Sequence, residues 1–174
     1  NISILTVVDN GGDAEITGME GDLVYAMTDN FTLHSAFSFN DTELTRVDPG
    51  FAVVVQDEGR ELPLTPETQF SIRGRYEWET ANGDAYAQIG LKHASKALNS
   101  IVDTPDEPNS YQKSYSIVDA ATGIRNVRNN WGMELYVQNL GDERAQLHIN
   151  RQDFFERITV NRPRTVGLRI SYDF

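Results

Sequence analysis

His34 and Ser38 share one face of an extended run and are the nearest this chain comes to a base beside a nucleophile. Acyl transfer needs those groups in hydrogen-bond reach and a third group to orient the base, and no feature marks Ser38 as activated. His34, His93 and His148 are dispersed, without the close spacing on one element of a metal pair. Cysteine is absent, which removes disulfides and thiolate metal sites. Neither catalysis nor a metal or other cofactor is expected. The remaining chemistry is charge. Glu20, Asp22, Arg73, Arg75, Glu77, Glu134 and Arg169 all fall on the polar side of alternating stretches. There they touch a ligand, or they form a solvated and mutually paired lining, the commoner fate of such a face.

Two loops carry more charge. Asp41, Glu43, Asp48, Asp57, Glu58 and Glu61 stand against Arg46 and Arg60. Acidic loops can hold divalent cations through hard oxygen ligands, but this spacing matches no calcium loop and solubility is the expectation. Farther on, Arg144, Arg151, Arg157, Arg162 and Arg164 could meet an anionic ligand or a lipid phosphate. Asp142, Glu143, Asp153 and Glu156 in the same segment offer internal pairing instead.

The elements that position these groups read as strands. In Thr165 to Phe174, Val166, Leu168, Ile170, Tyr172 and Phe174 occupy one face and Thr165, Gly167, Arg169, Ser171 and Asp173 the other. Such a stripe on a soluble edge strand invites pairing with another chain. A barrel strand with lipid on one side and a polar lumen on the other has reason to carry it. The same period recurs in Ala14–Met27, Phe31–Asn40, Phe70–Trp78, Ala85–Lys92, Val118–Ile124 and Trp131–Gln138. Asn1–Val8 is extended in character but too weakly alternating to orient. Gly18 sits where the alternation slips and is expected to mark a bulge. This makes about eight strands.

The connections alternate in length. Thr28–Asn30, Ala81–Asp84 and Asn126–Asn130 are tight, with Asn82-Gly83 the strongest hairpin dipeptide. Asp41–Pro66, Ser95–Lys113 and Gly141–Arg164 are long and irregular, with only Phe51–Val55 in the first able to pack. Short turns on one side and long loops on the other are the asymmetry of an outer-membrane barrel. Tyr25, Phe31, Trp78, Trp131, Tyr172 and Phe174 collect on the short-turn side, as a girdle at one interface would. A soluble β-sandwich also alternates, but its turns need not sort by length.

Bulk properties agree. The 174 residues carry a net charge of -11, which excludes nucleic acid as a partner. Mean hydropathy is -0.46 and no apolar run approaches the roughly 18 residues of a membrane helix. Barrel strands, half apolar, look hydrophilic on average. Asn1 opens the chain without a charged n-region or apolar h-region, as expected of a processed chain or of a piece of a longer one.

Two segments resemble the C-terminal end of the TonB-dependent outer-membrane receptors. One is Trp131–Gln146, with Asn139-Leu140-x-Asp142-Glu143, where Ala145 stands about where the family usually has tyrosine. The other is Asn161–Phe174, with its arginine-threonine entry and terminal phenylalanine. Ile16–Leu44 and Leu62–Glu67 are similar to the family's late barrel strands. The resemblance implies an all-β, antiparallel, up-and-down transmembrane barrel in the bacterial outer membrane, of 22 strands around an N-terminal plug. Residues 1–174 resemble its last third, with the plug absent. The implied activity is uptake of a scarce ligand such as a ferric siderophore, haem, cobalamin or an oligosaccharide.

The implied partners are outer-membrane lipid and lipopolysaccharide, the small-molecule ligand, and the TonB complex through the plug. The barrel-assembly machinery would read Leu168, Ile170, Tyr172 and Phe174 as its signal. Arg73, Arg75, Glu134 and Arg169 become candidate ligand or plug contacts. The alternative is a small barrel of eight strands, Ile2–Val8 pairing with Val166–Phe174, with a structural or adhesive role and an interior filled by side chains.

Overall fold

A computed structural model describes residues 10–50, 58–102, 110–150 and 155–173. The strands are β1 (Gly12–Ala26), β2 (Phe31–Val47), β3 (Thr68–Thr80), β4 (Gly83–Ala94), β5 (Ala97–Leu98), β6 (Tyr111–Gln112), β7 (Tyr115–Asn126), β8 (Trp131–Gln138), β9 (Gln146–Asn150), β10 (Arg157–Val160) and β11 (Thr165–Tyr172). Seven of them form one antiparallel sheet in the order β1-β2-β3-β4-β7-β8-β11. The pairs β5–β6 and β9–β10 lie within the long connections. Among the described residues the large sheet is open at β1 and at β11.

The three tight turns form as their residues dictate. Thr28 Oγ1 accepts from the N–H of Phe31 at 3.0 Å and of Asn30 at 3.3 Å. Gly83 has φ +135°, and a Cβ there would collide with the Arg125 carbonyl of the next strand. Asn130 takes φ +55°, which asparagine tolerates. Asparagines also brace turn to turn: Asn30 Nδ2 donates to the Glu77 carbonyl at 2.8 Å and Asn126 Nδ2 to the Asn82 carbonyl at 2.6 Å.

Residues paired across antiparallel strands share a face, so the register defines both surfaces of the sheet. One mid-height row runs Leu23, Ser35, Ile72, Leu91 and Val118. Another runs Thr122, Leu135 and Leu168. This outward face is exposed, Ile170 at 70 % and Leu168 at 59 %. Toward the short turns it ends in Tyr25, Phe31, Tyr76, Trp78, Trp131 and Tyr172, with Phe31 opposite Tyr76 and Trp131 opposite Tyr172. Toward the long loops lies a second aromatic belt, which the sequence pattern did not single out. Phe37 and Phe39 have centroids 5.6 Å apart, and Phe70 stacks on His93 at 5.1 Å. From Phe70 to Trp78 the strand runs roughly 27 Å, or about 20 Å of height at barrel tilt, close to the ~25 Å apolar band of such barrels.

Three expectations are corrected. Strand β2 continues to Val47 instead of ending at Asn40, because its outer half stands above the apolar band and has no stripe to betray it. The irregularity in β1 falls between Asp13 and Ala14, whereas Gly18 pairs regularly with Asn40. The connections expected to be irregular hold β5, β6, β9 and β10. Asn1–Val8, Phe51–Val55, and with them the proposed pairing of Ile2–Val8 with the closing strand, lie outside the described residues.

Most of the buried residues gather in the outer loops and at the strand ends beneath them. Leu98, Ala97, Ala145, Ala94, Ile149 and Leu44 are the most enclosed apolar side chains, Leu98 completely. Buried Asn99 ties two loops together, its Nδ2 donating to the Ile149 carbonyl at 2.5 Å and its Oδ1 accepting from the Ile149 N–H at 2.7 Å. The Leu64 N–H joins the third loop at the Leu98 carbonyl, 2.8 Å away. Three long connections form one braced layer.

Candidate functional site

The inward face of the sheet is concave and encloses about 590 Å3, lined by Asp22, His34, Arg73, Lys92, Glu134 and Arg169 among others. Its geometry repeats a unit of glycine, tyrosine and arginine. Tyr86 lies opposite Gly123, which leaves room for the ring, and the Arg75 guanidinium sits 3.7 Å from the ring centroid. Tyr136 lies over Gly167 in the same way, with the Arg169 guanidinium 5.6 Å from its centroid. An aromatic laid over a cross-strand glycine covers backbone that would otherwise be bare, and a guanidinium on a ring face adds cation–π attraction.

Glu134 joins the two units. It accepts from Arg169 Nη1 at 2.5 Å and from the Tyr86 hydroxyl. Arg75 Nε donates to Glu77 at 2.9 Å and its Nη1 to Gln88 at 3.2 Å. The network therefore spans β3, β4, β8 and β11, and its charges answer one another. A short distance away Lys92 pairs with Asp119 at 3.4 Å.

Of the four charged residues expected to meet a ligand or plug, three are thus engaged with the wall itself: Arg75, Glu134 and Arg169. Arg73 differs. It lies opposite His34 on one side and Gly90 on the other, and makes no ion pair or side-chain hydrogen bond among the described residues. Leu168, Ile170 and Tyr172 line the outward face of β11, and Phe174 lies outside the described residues. Ser38 Oγ accepts from Asn40 Nδ2 at 2.9 Å, while His34 faces Val24 and Arg73. The suspected base and nucleophile are therefore not brought together. His93 stacks on Phe70 and bonds Ser116 Oγ at 2.9 Å.

Sequence reasoning put Tyr86, Tyr136 and Gln88 on this face but gave them no role; tyrosine and glycine at matching positions of neighbouring strands were the available signal. At the outer ends of β1 and β2, Arg46 bonds Asp13 at 2.7 Å and also pairs with Asp48. Arg144 reaches Asp142 at 3.4 Å. For Arg144 this is internal pairing, one of the two options left open for the arginines of the last connection.

Residues 1–140 match the family model of the TonB dependent receptor-like β-barrel. The chain belongs to that family. It is accordingly part of a bacterial outer-membrane receptor barrel. Among solved structures it is similar to the ferric yersiniabactin uptake receptor FyuA of Yersinia pestis, with a TM-score of 0.79, 18 % identity and 95 % of this chain covered. It is also similar to the siderophore receptor PiuA of Acinetobacter baumannii, with a TM-score of 0.72, 19 % identity and 92 % covered. A third is the ferric-catecholate import receptor Fiu of Escherichia coli K12, with a TM-score of 0.73, 22 % identity and 92 % covered. The chain spans 24 %, 22 % and 21 % of those three chains respectively. No curated protein sequence matches it.

Proposed function

We propose that residues 1–174 form the C-terminal arc of a receptor barrel that takes up a scarce ligand, a ferric siderophore being the best-supported class. The observation that carries this reading is the two-faced sheet, apolar and girdled outside, polar and internally paired inside. The work of the arc is mechanical: it walls the lumen and holds three braced outer loops at its mouth. Ligand capture by those loops and a plug moved through TonB complete the cycle.

Within the wall, Arg73 is the residue we assign to contact with plug or ligand, because Arg75 is engaged with Glu77 and Gln88, and Glu134 and Arg169 with each other. Lipid and lipopolysaccharide meet the outward face, and the barrel-assembly machinery reads Leu168, Ile170, Tyr172 and Phe174. The self-closed eight-stranded barrel is the weaker reading, since the chain's family builds larger receptors.

The test is uptake of a panel of ferric siderophores by cells expressing the whole receptor, with and without TonB. TonB-dependent uptake of one of them is expected. R73A should lower it at unchanged outer-membrane level, whereas R75A should lower the level itself. Uptake of none of the panel, or uptake indifferent to TonB, would contradict the assignment.

A further inference from the structure

The connection from β8 to β11, Asn139 to Arg164, is too long for its turn geometry to set the register of the closing strand, as a short hairpin would. The pattern does not set it either. Sliding β11 by two residues leaves Val166, Leu168 and Ile170 on the outward face, because side-chain direction repeats every two residues. Something else must hold Leu168 opposite Leu135.

Asn139 does so at the neck of the loop. Its φ of +53° turns the chain out of β8, and its side chain is almost fully buried. Nδ2 donates to the Glu143 carbonyl at 2.9 Å and to the Arg162 carbonyl at 3.0 Å, and Oδ1 accepts from the Glu143 N–H at 2.8 Å. The descending and returning limbs are thus joined through one amide. Asp142, at φ +52°, adds a second link: its Oδ1 accepts from the Arg164 N–H at 2.9 Å, next to the first residue of β11. Arg164 Nη1 returns a bond to the Leu140 carbonyl at 3.3 Å.

The neck is anchored to a third strand as well. Asp119 of β7 accepts from the Asn139 N–H at 2.9 Å, and the Val118 carbonyl accepts from the Leu140 N–H at 2.7 Å. The outer ends of β7, β8 and β11 therefore meet at two residues. Only asparagine supplies two donors, an acceptor and tolerance of a positive φ at position 139.

We propose that Asn139 and Asp142 form a register latch for the closing strand. The latch fixes β11 against β8 at the outer end while Arg169 and Glu134 hold it in the lumen. It makes the segment between residues 145 and 160 an insert on an already closed stem. A barrel with one edge still open needs such a device most, because an unlatched edge strand pairs equally well two residues out of step.

Residues 1–174 contain no cysteine, so engineered pairs within them, in the whole receptor cleared of any other cysteine and assembled in the outer membrane, give a direct test. L135C/L168C reports the native register, and L135C/V166C and L135C/I170C report two-residue slips. Without a further change only the first pair should cross-link. With N139A the slipped pairs should rise at least tenfold. D142A leaves the bonds of Asn139 in place and should raise them about threefold, and it decides the matter if N139A is not recovered from the membrane. Cross-linking confined to the native pair in every variant recovered would overturn the proposal.

Discussion

Arg169 reaches across from the closing strand to Glu134 of β8, Nη1 to Oε1 at 2.5 Å, and Glu134 at the same time accepts from Tyr86 of β4. One carboxylate thus gathers three strands. Arg169 is largely exposed and Glu134 is not, so the Coulomb part of the pair is modest, about 0.5–1 kcal/mol. E134A removes both links and should lower the unfolding temperature, read by heat-modifiable gel migration, more than R169A removes with one. The double variant should be less destabilised than the sum of the two. Strict additivity would mean that the two side chains do not interact.

Glycine under tyrosine is a packing requirement. At Gly123 an added Cβ would stand 2.7 Å from the Tyr86 ring and 2.9 Å from the Met133 carbonyl. The ring can move but the carbonyl cannot, so G123A should cost about 1–3 kcal/mol. At Gly167 the nearest atoms are all from the far end of the Tyr136 side chain, which can swing aside, and G167A should cost less. Equal losses in denaturant titrations of the two variants would contradict this ordering.

The Asp142 carboxyl is held below the usual carboxylate range, first by the Arg164 N–H and then by the charges of Arg144 and Arg164. A depressed folded value adds stability that is complete above the unfolded value of about 3.9 and is lost as pH falls through the lower folded value. D142N, which keeps an acceptor but no charge, should therefore unfold below wild type between about pH 5 and 8. The gap should close below about pH 4. A gap that widens in acid would reverse the sign and contradict the assigned cause.

Lipid contact is directional. L168K puts a charge on the outward face near mid-height and should cost roughly 2–4 kcal/mol, whereas a lysine at Arg169, one residue on, keeps a charge in the lumen and should cost far less. Folding yields in lipid vesicles compare the two, and equal yields would argue against this orientation.

How far the sequence reached depended on whether an element meets lipid. The faces of β4, β8 and β11 were readable because apolar and polar residues alternate wherever lipid opposes water. Trp131 to Gln138 was placed to the residue. The outer half of β2 was not readable, since Thr42 and Leu44 are covered by the first long connection rather than by lipid, and so short an alternation does not distinguish Asn40 to Val47 from loop. The pairs β5–β6 and β9–β10 depend on partners distant in sequence, joined through Asn99, which no local pattern announces. In the site, alternation put Glu134 and Arg169 on one face but could not set them opposite each other, because that needs register. It could not separate Arg73 from Arg75 either, since only neighbours on adjacent strands reveal that one is paired. Asn139 and Asp142 were visible as a motif but not as a latch.

The central claim, one face to lipid and one to an aqueous lumen, is tested most directly by single cysteines placed in turn from Val166 to Ser171 in membrane-embedded protein. Labelling by a water-soluble maleimide and quenching of an attached fluorophore by nitroxide lipids should alternate strictly. Residues 166, 168 and 170 should be quenched by lipid, and 167, 169 and 171 should be labelled from water. Uniform aqueous labelling along all six positions would contradict the account.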